Sequence, residues 1–317
     1  MKVLVLASPG EEALRVLEPP PPGVELAVGS RSEDLAADDV ARAEILVACS
    51  MGRDRVRPIF LAAPRLRWIH SLANGVDTLL FPELVESPVV LTNARRVYSR
   101  SLAEWVMGAV LYFAKDFRRL IAQQRAERWE QFDARMAEGA VLGIVGYGDI
   151  GRTIAERASA FGMKVHAVRR APSPDALCER VVGPSALHEV LAASDYVVVA
   201  TPLTPETRGL IGAAEFAAMK AEAVFMNVGR GPVVDEAALV EALRAGRLRG
   251  AALDVFEREP LAPGHPLYGL ENVLLSPHSA DHVAGWREDS MRAFLENLAR
   301  DRAGQPLYNV VDKARGY

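Results

Sequence analysis

Cysteine is nearly absent from this sequence. Cys49 and Cys178 are the only two, and both lie in apolar surroundings without a metal-binding type of neighbour. Two such cysteines exclude a disulfide-stapled scaffold and a zinc cluster, so we expect a reduced cytosolic (cytoplasmic) protein without a metal site. No apolar run reaches membrane-spanning length, and a strand-like run begins directly after Met1 and Lys2. We therefore expect neither a signal peptide nor a membrane partner.

An excess of one charge sign is lacking as well. The sequence has 37 basic and 41 acidic residues and a net charge of −4, which gives no reason to expect a nucleic acid as partner. The chain does have length and apolar content, with 317 residues of which 50% are hydrophobic. That is enough for two domains with sizeable cores.

A glycine-rich loop stands near the middle of the chain. An apolar run at residues 141–145 opens into G-x-G-x-x-G at residues 146–151, and a helix-forming stretch and a second strand-like run follow. This order is typical of a dinucleotide site. Gly146 would allow a tight turn, Gly148 would let a pyrophosphate approach the backbone, and Gly151 would let the helix pack closely on the sheet. A purely structural glycine turn is the alternative.

Strand-like runs alternate with helix-forming stretches on both sides of this loop, which indicates an α/β fold with parallel sheets. We predict two doubly wound domains: a Rossmann domain for NAD(P) at residues 100–283, inserted into a flavodoxin-like substrate domain of residues 1–99 and 284–317. Two chain crossings between the domains would form a hinge beside a cleft.

The helices predicted inside the inserted domain include two with defined bounds. The first covers residues 101–122, where apolar side chains form a broad stripe. A helix of this kind suits a domain connector or a subunit contact, so we expect a homodimer through this region. The second covers residues 181–194.

Three ionisable residues follow predicted strands at their carboxyl ends, where parallel sheets bind ligands. They are Arg230, Glu259 and His278. A histidine transfers protons near neutral pH, a carboxylate beside it favours its charged form, and an arginine matches a substrate carboxylate. Taken singly, each could be an ordinary surface or loop residue, and His70 at a strand end is the one rival histidine.

Several motifs in order strengthen this interpretation. They are residues 146–151 (GYGDIG), 201–207 (TPLTPET), 227–231 (NVGRG), 254–256 (DVF) with Glu259-Pro260, and 276–278 (SPH). In order and spacing the sequence resembles the D-isomer-specific 2-hydroxyacid dehydrogenases along nearly its whole length. The family's usual alanine before the arginine is here Gly229, and its small pair after the histidine is Ser279-Ala280; both changes are small.

The resemblance implies roles for matching residues. Arg230 would bind the substrate carboxylate and polarise the carbonyl, His278 would be the acid/base, and Glu259 would be its partner. Asp254 would contact the nicotinamide carboxamide. The residues assigned to cofactor binding are Gly146, Gly148, Asp149, Ile150, Gly151, Arg169, Arg170, Thr201, Pro202, Leu203, Thr207, Val228, Gly229, Asp254 and Ala280. Those assigned to substrate binding are Ser50, Met51, Ala73, Asn74, Gly75, Arg230 and His278. Asn74-Gly75 could also be only a turn.

One departure bears on the cofactor. NAD-specific sites carry an acidic residue roughly twenty positions after the glycine loop begins, where it binds the ribose 2′-hydroxyl. Here Arg169 and Arg170 occupy that region, and the first acid is Asp175. Two guanidinium groups suit a 2′-phosphate, so we favour NADP over NAD. The alternative is a solvated arginine pair.

The predicted function is reduction of a small 2-keto acid by NAD(P)H, or the reverse reaction. A glyoxylate/hydroxypyruvate-type reductase is favoured, partly because no further domain follows residue 317. Phosphoglycerate dehydrogenase and formate dehydrogenase are enzymatic alternatives on the same scaffold. A dinucleotide-sensing, corepressor-like binding protein is the non-enzymatic one, and the set of Arg230, Glu259 and His278 argues against it.

Overall fold

The computed structural model describes residues 1–8, 10–49 and 52–317. The strands in this part of the chain are β1 (Lys2–Leu6), β2 (Glu25–Gly29), β3 (Ile45–Ala48), β4 (Trp68–Ser71), β5 (Val90–Asn93), β6 (Val141–Val145), β7 (Lys164–Val168), β8 (Arg180–Val182), β9 (Tyr196–Val199), β10 (Val224–Asn227), β11 (Gly250–Leu253) and β12 (Val273–Leu275). The α-helices are α1 (Ala37–Arg42), α2 (Arg53–Ala62), α3 (Pro82–Glu86), α4 (Ser99–Ala114), α5 (Phe117–Arg125), α6 (Asp149–Ala160), α7 (Leu187–Ala193), α8 (Ala213–Ala218), α9 (Glu236–Arg244) and α10 (Trp286–Arg302).

The chain divides into two compact units. The first consists of Met1–Tyr98 and Val283–Tyr317, and the second of Ser99–His282. The first holds a parallel sheet in the order β2-β1-β3-β4-β5, which is the flavodoxin-like order. The second holds a parallel sheet in the order β12-β11-β10-β9-β6-β7-β8. Counted from β6, this is the Rossmann order with one more strand at the edge.

The predicted fold class of two doubly wound parallel-sheet domains is thereby confirmed. Which unit binds substrate and which binds cofactor stays a prediction.

Both faces of the first sheet are covered, and β1 shows how. Leu4 and Leu6 pack in an apolar layer with Ile59 of α2, whereas Val3 and Val5 pack in the opposite layer with Phe294 of α10. Because alternate residues of a strand point to opposite faces, a strand buried on both faces is a continuous apolar run. This explains why β1 is apolar at almost every position.

The second sheet is built in the same way. Its central strands contribute Val145, Val197, Phe225 and Leu253 to one layer, which also includes buried side chains of α7, α8 and α9.

Among the described residues, no helix is both long and apolar enough to cross a membrane.

Two predicted helices are wrong in extent. The helix expected at residues 101–122 is divided into α4 and α5, because Asp116 adopts a left-handed backbone (φ 49°) and its carboxylate caps α5 by accepting Arg119 N–H at 3.3 Å. The stretch at residues 181–194 begins instead with the strand β8, and α7 starts only at Leu187. Gly183 and Pro184 separate the two, since proline disfavours helix in the residue before it.

Candidate active site

The loops that carry the predicted site residues leave the second sheet at one edge. The register pairs the last residues of neighbouring strands: Leu275 with Leu253, Leu253 with Asn227, Asn227 with Val199, Val199 with Val145, and Val145 with Val168. Neighbouring strands lie about 4.8 Å apart. Segments far apart in sequence therefore become neighbours at this edge.

The three ionisable residues and the glycine loop lie in a row along this edge. His278 follows β12, Glu259 follows β11, Arg230 follows β10, and the glycine loop follows β6. Strand β7 lies next to β6 on one side and β9 lies next to β6 on the other. The strand order therefore reverses between β6 and β9. Such a switch point is where ligands bind in open α/β sheets.

The glycine loop is fixed by close backbone packing. Gly146 has φ 102°, and a Cβ there would lie 2.7 Å from the backbone of Ala200 and Thr201. A Cβ on Gly151 would lie 2.4 Å from the carbonyl oxygen of Gly146. Real side chains do not fit at such distances, so these two glycines are required by the fold itself.

Gly148 is different, and it fits a bound dinucleotide. A Cβ at this position would meet nothing of the protein within 4 Å. Gly148 is also the residue that precedes α6, and the first N–H groups of a helix have no partners within the helix. The open space beside an unpaired helix N-terminus is a place where a pyrophosphate can approach the backbone.

The loop after β9 lies between the glycine loop and the arginine loop. Thr207 Oγ1 donates to Pro202 O at 2.7 Å and accepts Thr204 N–H at 2.8 Å, which closes the loop on itself. Leu203 packs against the apolar core of the second unit. Thr201 Oγ1 is buried and has no hydrogen-bond partner among the described residues.

His278 and Glu259 form a hydrogen-bonded pair. His278 Nδ1 lies 2.6 Å from Glu259 Oε2, and Glu259 Oε1 accepts Phe256 N–H at 2.9 Å. Both side chains remain partly open, with exposed fractions of 42% for His278 and 34% for Glu259. A carboxylate held by a backbone amide therefore orients the imidazole and leaves part of the ring accessible.

Arg230 is placed beside this pair by its own loop. Asn227 Oδ1 accepts Gly229 N–H at 3.0 Å, and Asn227 Nδ2 donates to Arg230 O at 3.1 Å. Gly231 packs against the backbone of Phe256 so closely that a Cβ would lie 1.8 Å from the Phe256 oxygen. This contact joins the arginine loop to the segment that carries Glu259.

The electrostatics show that the three groups act on one another. The hydrogen bond to Glu259 raises the pKa of His278 above its ordinary value, against partial burial and the positive charge of Arg230. Burial pulls the pKa of Glu259 upward, but hydrogen bonds from His278 and Phe256 N–H outweigh it and leave this pKa below its usual range. The pair thus favours an imidazolium beside a carboxylate.

Asp254 holds the turn that carries the histidine. This buried carboxylate accepts Ser279 N–H at 2.9 Å and Ala280 N–H at 3.0 Å through Oδ1, and its carbonyl accepts His278 N–H at 2.9 Å. His278 itself has φ 52°, a left-handed conformation that is uncommon outside glycine. Val228 and Gly229 lie at the start of the neighbouring arginine loop, directly after β10.

The arginine pair lies at the end of β7. Arg169 N–H donates to Val182 O at 3.0 Å, and its Nη1 lies 3.4 Å from Ser173 Oγ. A hydrogen bond from Thr204 and the nearby charge of Arg170 lower the pKa of Glu206, which places Arg170 close to the loop after β9. The first acidic residue after β7 is Asp175, whose carboxylate accepts hydrogen bonds from Arg152 Nε at 3.0 Å and from Leu177 N–H at 3.1 Å.

The predicted substrate residues of the first unit lie at the carboxyl end of β4. The end of β5 and the residue after it anchor Ala73 and Asn74: Ala94 N–H donates to Ala73 O at 3.2 Å, and Asn93 Nδ2 donates to Asn74 O at 2.5 Å. Ser50 and Met51 lie outside the described residues.

The rival histidine belongs to the core. His70 is fully buried, its Nδ1 lies 2.7 Å from Thr92 Oγ1, and its ring packs on Phe294 with centroids 5.5 Å apart. Burial lowers the pKa of His70 to about 3, so this residue stays neutral in the working pH range and has no acid/base function.

Other residues that hold the site in place were not predicted from the sequence. Asn227 positions Arg230, and Ser99 and Ser101 at the start of α4 donate to Asp149 Oδ2 and to Ala280 O. Burial raises the pKa of Asp281, and the charges of Asp254 and His278 also act on this carboxyl group. Asn227 stands within a quoted motif, but the two serines are more than forty residues from their partners and carry no local signal.

Comparison with known proteins shows the family to which the chain belongs. Residues 107–280 match the family described as D-isomer specific 2-hydroxyacid dehydrogenase, NAD binding domain. A D-3-phosphoglycerate dehydrogenase of Methanocaldococcus jannaschii is 32% identical over 98% of this chain, and the match covers 59% of that protein. The chain thus spans little more than half the length of this relative.

Two further proteins are similar over most of their length. A glyoxylate reductase of Thermococcus gammatolerans is 34% identical over 80% of this chain and 79% of its own. The structure of an NADPH-dependent glyoxylate/hydroxypyruvate reductase of Sinorhizobium meliloti, in complex with NADP and sulfate, is 30% identical, covers 99% of both chains and has a TM-score of 0.87. The family resemblance drawn from the motifs is confirmed by these matches.

The two kinds of glycine in the loop give a matched pair of variants. Gly148→Ala should leave the melting temperature within a few degrees of the wild type, because the new methyl group meets no protein atom. It should weaken NADPH binding about tenfold or more, because the methyl group occupies the space through which the pyrophosphate approaches the backbone. Gly151→Ala should destabilise the protein by roughly 2 kcal/mol or more, because the added atom overlaps a carbonyl. Thermal unfolding and NADPH fluorescence titration measure the two effects. Equal NADPH affinity in Gly148→Ala and wild type contradicts a pyrophosphate site here.

Proposed function

Because this chain belongs to the D-isomer specific 2-hydroxyacid dehydrogenase family, we propose that it reduces a small 2-keto acid to the D-2-hydroxy acid, or catalyses the reverse. The cofactor is a nicotinamide dinucleotide, and we propose NADP(H) in preference to NAD(H). We further propose that the substrate is of the glyoxylate or hydroxypyruvate type. The single observation that carries the proposal is the 2.6 Å pair of His278 and Glu259 beside Arg230.

His278 supplies the proton in this mechanism. Its Nδ1 is held by Glu259, so the Nε2 side of the ring faces the reacting oxygen and donates to it as the carbonyl is reduced. In the reverse direction the same nitrogen accepts the hydroxyl proton. The raised pKa of His278 favours the protonated form that reduction of a carbonyl requires.

Arg230 binds and polarises the substrate. Its guanidinium forms charge-assisted hydrogen bonds with the 2-carboxylate and stabilises the negative charge that develops on the carbonyl oxygen. The packing of Gly231 on Phe256 fixes the arginine loop relative to Glu259, so the cation and the proton donor keep a constant separation. We assign further contacts with the substrate carboxylate to Ala73, Asn74 and Gly75, and to Ser50 and Met51.

The glycine loop and its neighbours hold the cofactor. When bound, the reduced nicotinamide supplies a hydride to the carbonyl carbon. Gly148 and the N-terminus of α6 bind the pyrophosphate, and Asp149, Ile150, Thr201, Pro202, Leu203, Thr207, Val228, Gly229 and Ala280 line the path from there towards His278. Asp254 contributes by holding Ser279 and Ala280.

Two observations support NADP(H). Arg169 and Arg170 lie directly after β7, and the first acidic residue that follows them in the chain, Asp175, is already bound by Arg152. The similar Sinorhizobium meliloti reductase is described as NADPH-dependent. NAD(H) is the alternative if the arginine pair is only solvated.

A phosphoglycerate dehydrogenase-like activity is the second candidate. It is favoured by the match of 98% of this chain to the Methanocaldococcus jannaschii enzyme. A corepressor-like binding protein is less well supported, because such a protein has no use for an acid/base pair with a raised histidine pKa.

A homodimer through the region of α4 and α5 is also proposed. Phe117, Leu120 and Ile121 of α5 are exposed, and so, at 95%, is Trp129, which follows α5 in the chain. Burial of such a patch against a second copy would remove it from water. The dimer and the cytosolic location stay predictions.

A substrate panel tests the proposed activity. NADPH oxidation followed by absorbance should show the highest kcat/KM with glyoxylate or hydroxypyruvate, less with bulkier 2-keto acids, and at least hundredfold lower turnover in His278→Ala at unchanged NADPH affinity. A preference for 3-phosphohydroxypyruvate would favour the second candidate. NADPH binding without turnover of any 2-keto acid contradicts the enzymatic proposal.

Cofactor preference is tested by reversing one charge. Arg169→Asp should lower kcat/KM for NADPH by about tenfold or more and leave NADH equal or better, because a carboxylate repels the 2′-phosphate and suits the 2′-hydroxyl. Arg244→Asp, at the end of α9, makes the same charge change far from β7 and is the control. Equal kcat/KM for the two cofactors in the wild type removes the proposed preference.

A further inference from the structure

The turn that carries His278 is held from two sides. On the amide side, Asp254 accepts the N–H groups of His278, Ser279 and Ala280. On the carbonyl side, Ala280 O accepts a hydrogen bond of 2.7 Å from Ser101 Oγ. The same turn is closed by His282 N–H, which donates to Ser279 O at 3.0 Å. Ser101 therefore ties this turn to the helix α4.

That helix also reaches the glycine loop. Ser99 and Ser101 lie in the first turn of α4, and Ser99 Oγ donates to Asp149 Oδ2 at the start of α6. Buried Leu102, Ala103 and Val106 anchor α4 in the second unit. The first turn of α4 thus contacts the segments that carry the proton donor and the proposed pyrophosphate site.

The histidine needs this support because its backbone is strained. A non-glycine residue with φ 52° persists only where the surrounding structure fixes it. If the carbonyl side of the turn is released, the backbone at His278 can relax, and the 2.6 Å contact of Nδ1 with Glu259 lengthens.

We propose that Ser101 is a positioning residue for the proposed proton transfer: its hydroxyl fixes the turn at Ala280 and so keeps His278 in its hydrogen bond with Glu259. The inference rests on the proposed function for its catalytic consequence, but the effect on the imidazole itself does not. The charged groups that act on His278 are Glu259, Arg230, Asp254 and Asp281, and Ser101 acts by setting the distance to the first of them.

The test compares Ser101→Ala with Ser101→Thr, which keeps the hydroxyl. Ser101→Ala should lower kcat for hydroxypyruvate about threefold to tenfold, the range that one hydrogen bond's net contribution corresponds to, with KM for NADPH changed less than twofold. The high-pH limb of kcat should move to lower pH, because a longer contact with Glu259 lowers the pKa of His278. Ser101→Thr should restore most of both. An unchanged kcat and pH limb in Ser101→Ala overturns the proposal.

The matched control removes a comparable hydrogen bond elsewhere. Ser194 Oγ donates to Val190 O at 2.6 Å in the same unit. Ser194→Ala should lower the melting temperature and leave the pH limb in place; an equal shift of that limb in this control shows a merely structural effect and contradicts positioning. Ser101→Cys, whose somewhat larger thiol is a weaker donor, replaces Ser101→Ala if the latter does not fold.

A readout without turnover separates this inference from the proposed function. The pKa of the His278 imidazole, measured by NMR titration of the protein labelled at histidine and without cofactor, should be lower in Ser101→Ala than in wild type and close to wild type in Ser101→Thr. A wild-type protein that turns over no 2-keto acid refutes the function, and the titration still decides Ser101. Identical titration of wild type and Ser101→Ala refutes the role of Ser101.

Discussion

The contact of 2.6 Å between His278 Nδ1 and Glu259 Oε2 is the interaction on which the account of this site depends. Without the carboxylate, partial burial and the charge of Arg230 would both favour a neutral imidazole. With it, the protonated imidazole is favoured, and the ring is held in one orientation. The surrounding structure serves this contact: Phe256 N–H holds Glu259, Asp254 holds the turn of His278, and Asn227 holds the loop of Arg230.

Backbone contacts, more than side-chain packing, decide where these loops lie. Gly231 against Phe256, Gly229 against Thr201, Gly146 against Ala200 and Gly151 against Gly146 all leave no room for a Cβ. The loops after β11, β10, β9 and β6 are thereby joined through their main chains. These main-chain contacts keep the proton donor and the dinucleotide site at fixed positions along one sheet edge without the help of long side chains. Gly148 is the exception in this row, and its open surroundings mark the place left for a ligand.

The sequence predicted the α/β class, the two sheets and the central trio because each has a local signature: apolar runs of strand length, a glycine spacing, and ionisable residues directly after strands. The end of the helix at Ala114 was not predicted, because the left-handed Asp116 that starts α5 has no pattern of its own. Ser101 was missed for a related reason, since its partner Ala280 is 179 residues away. In the sequence His70 resembled a site residue, because it lies at a predicted strand end. The structure shows that it is a core residue packed against Thr92 and Phe294, which are far from it in sequence.

The pKa of the His278 imidazole, measured by NMR titration in wild type and in Glu259→Gln, shows whether the Glu259 carboxylate controls the proton. We expect a wild-type pKa above the ordinary 6.5 and a pKa below 6.5 in the variant, because the amide removes the anion while burial and Arg230 continue to oppose the charged form. Glu257→Gln, two residues away on the same loop, should titrate like wild type. If His278 keeps its wild-type pKa without the Glu259 carboxylate, the pair does not control the proton and the mechanism built on it is wrong.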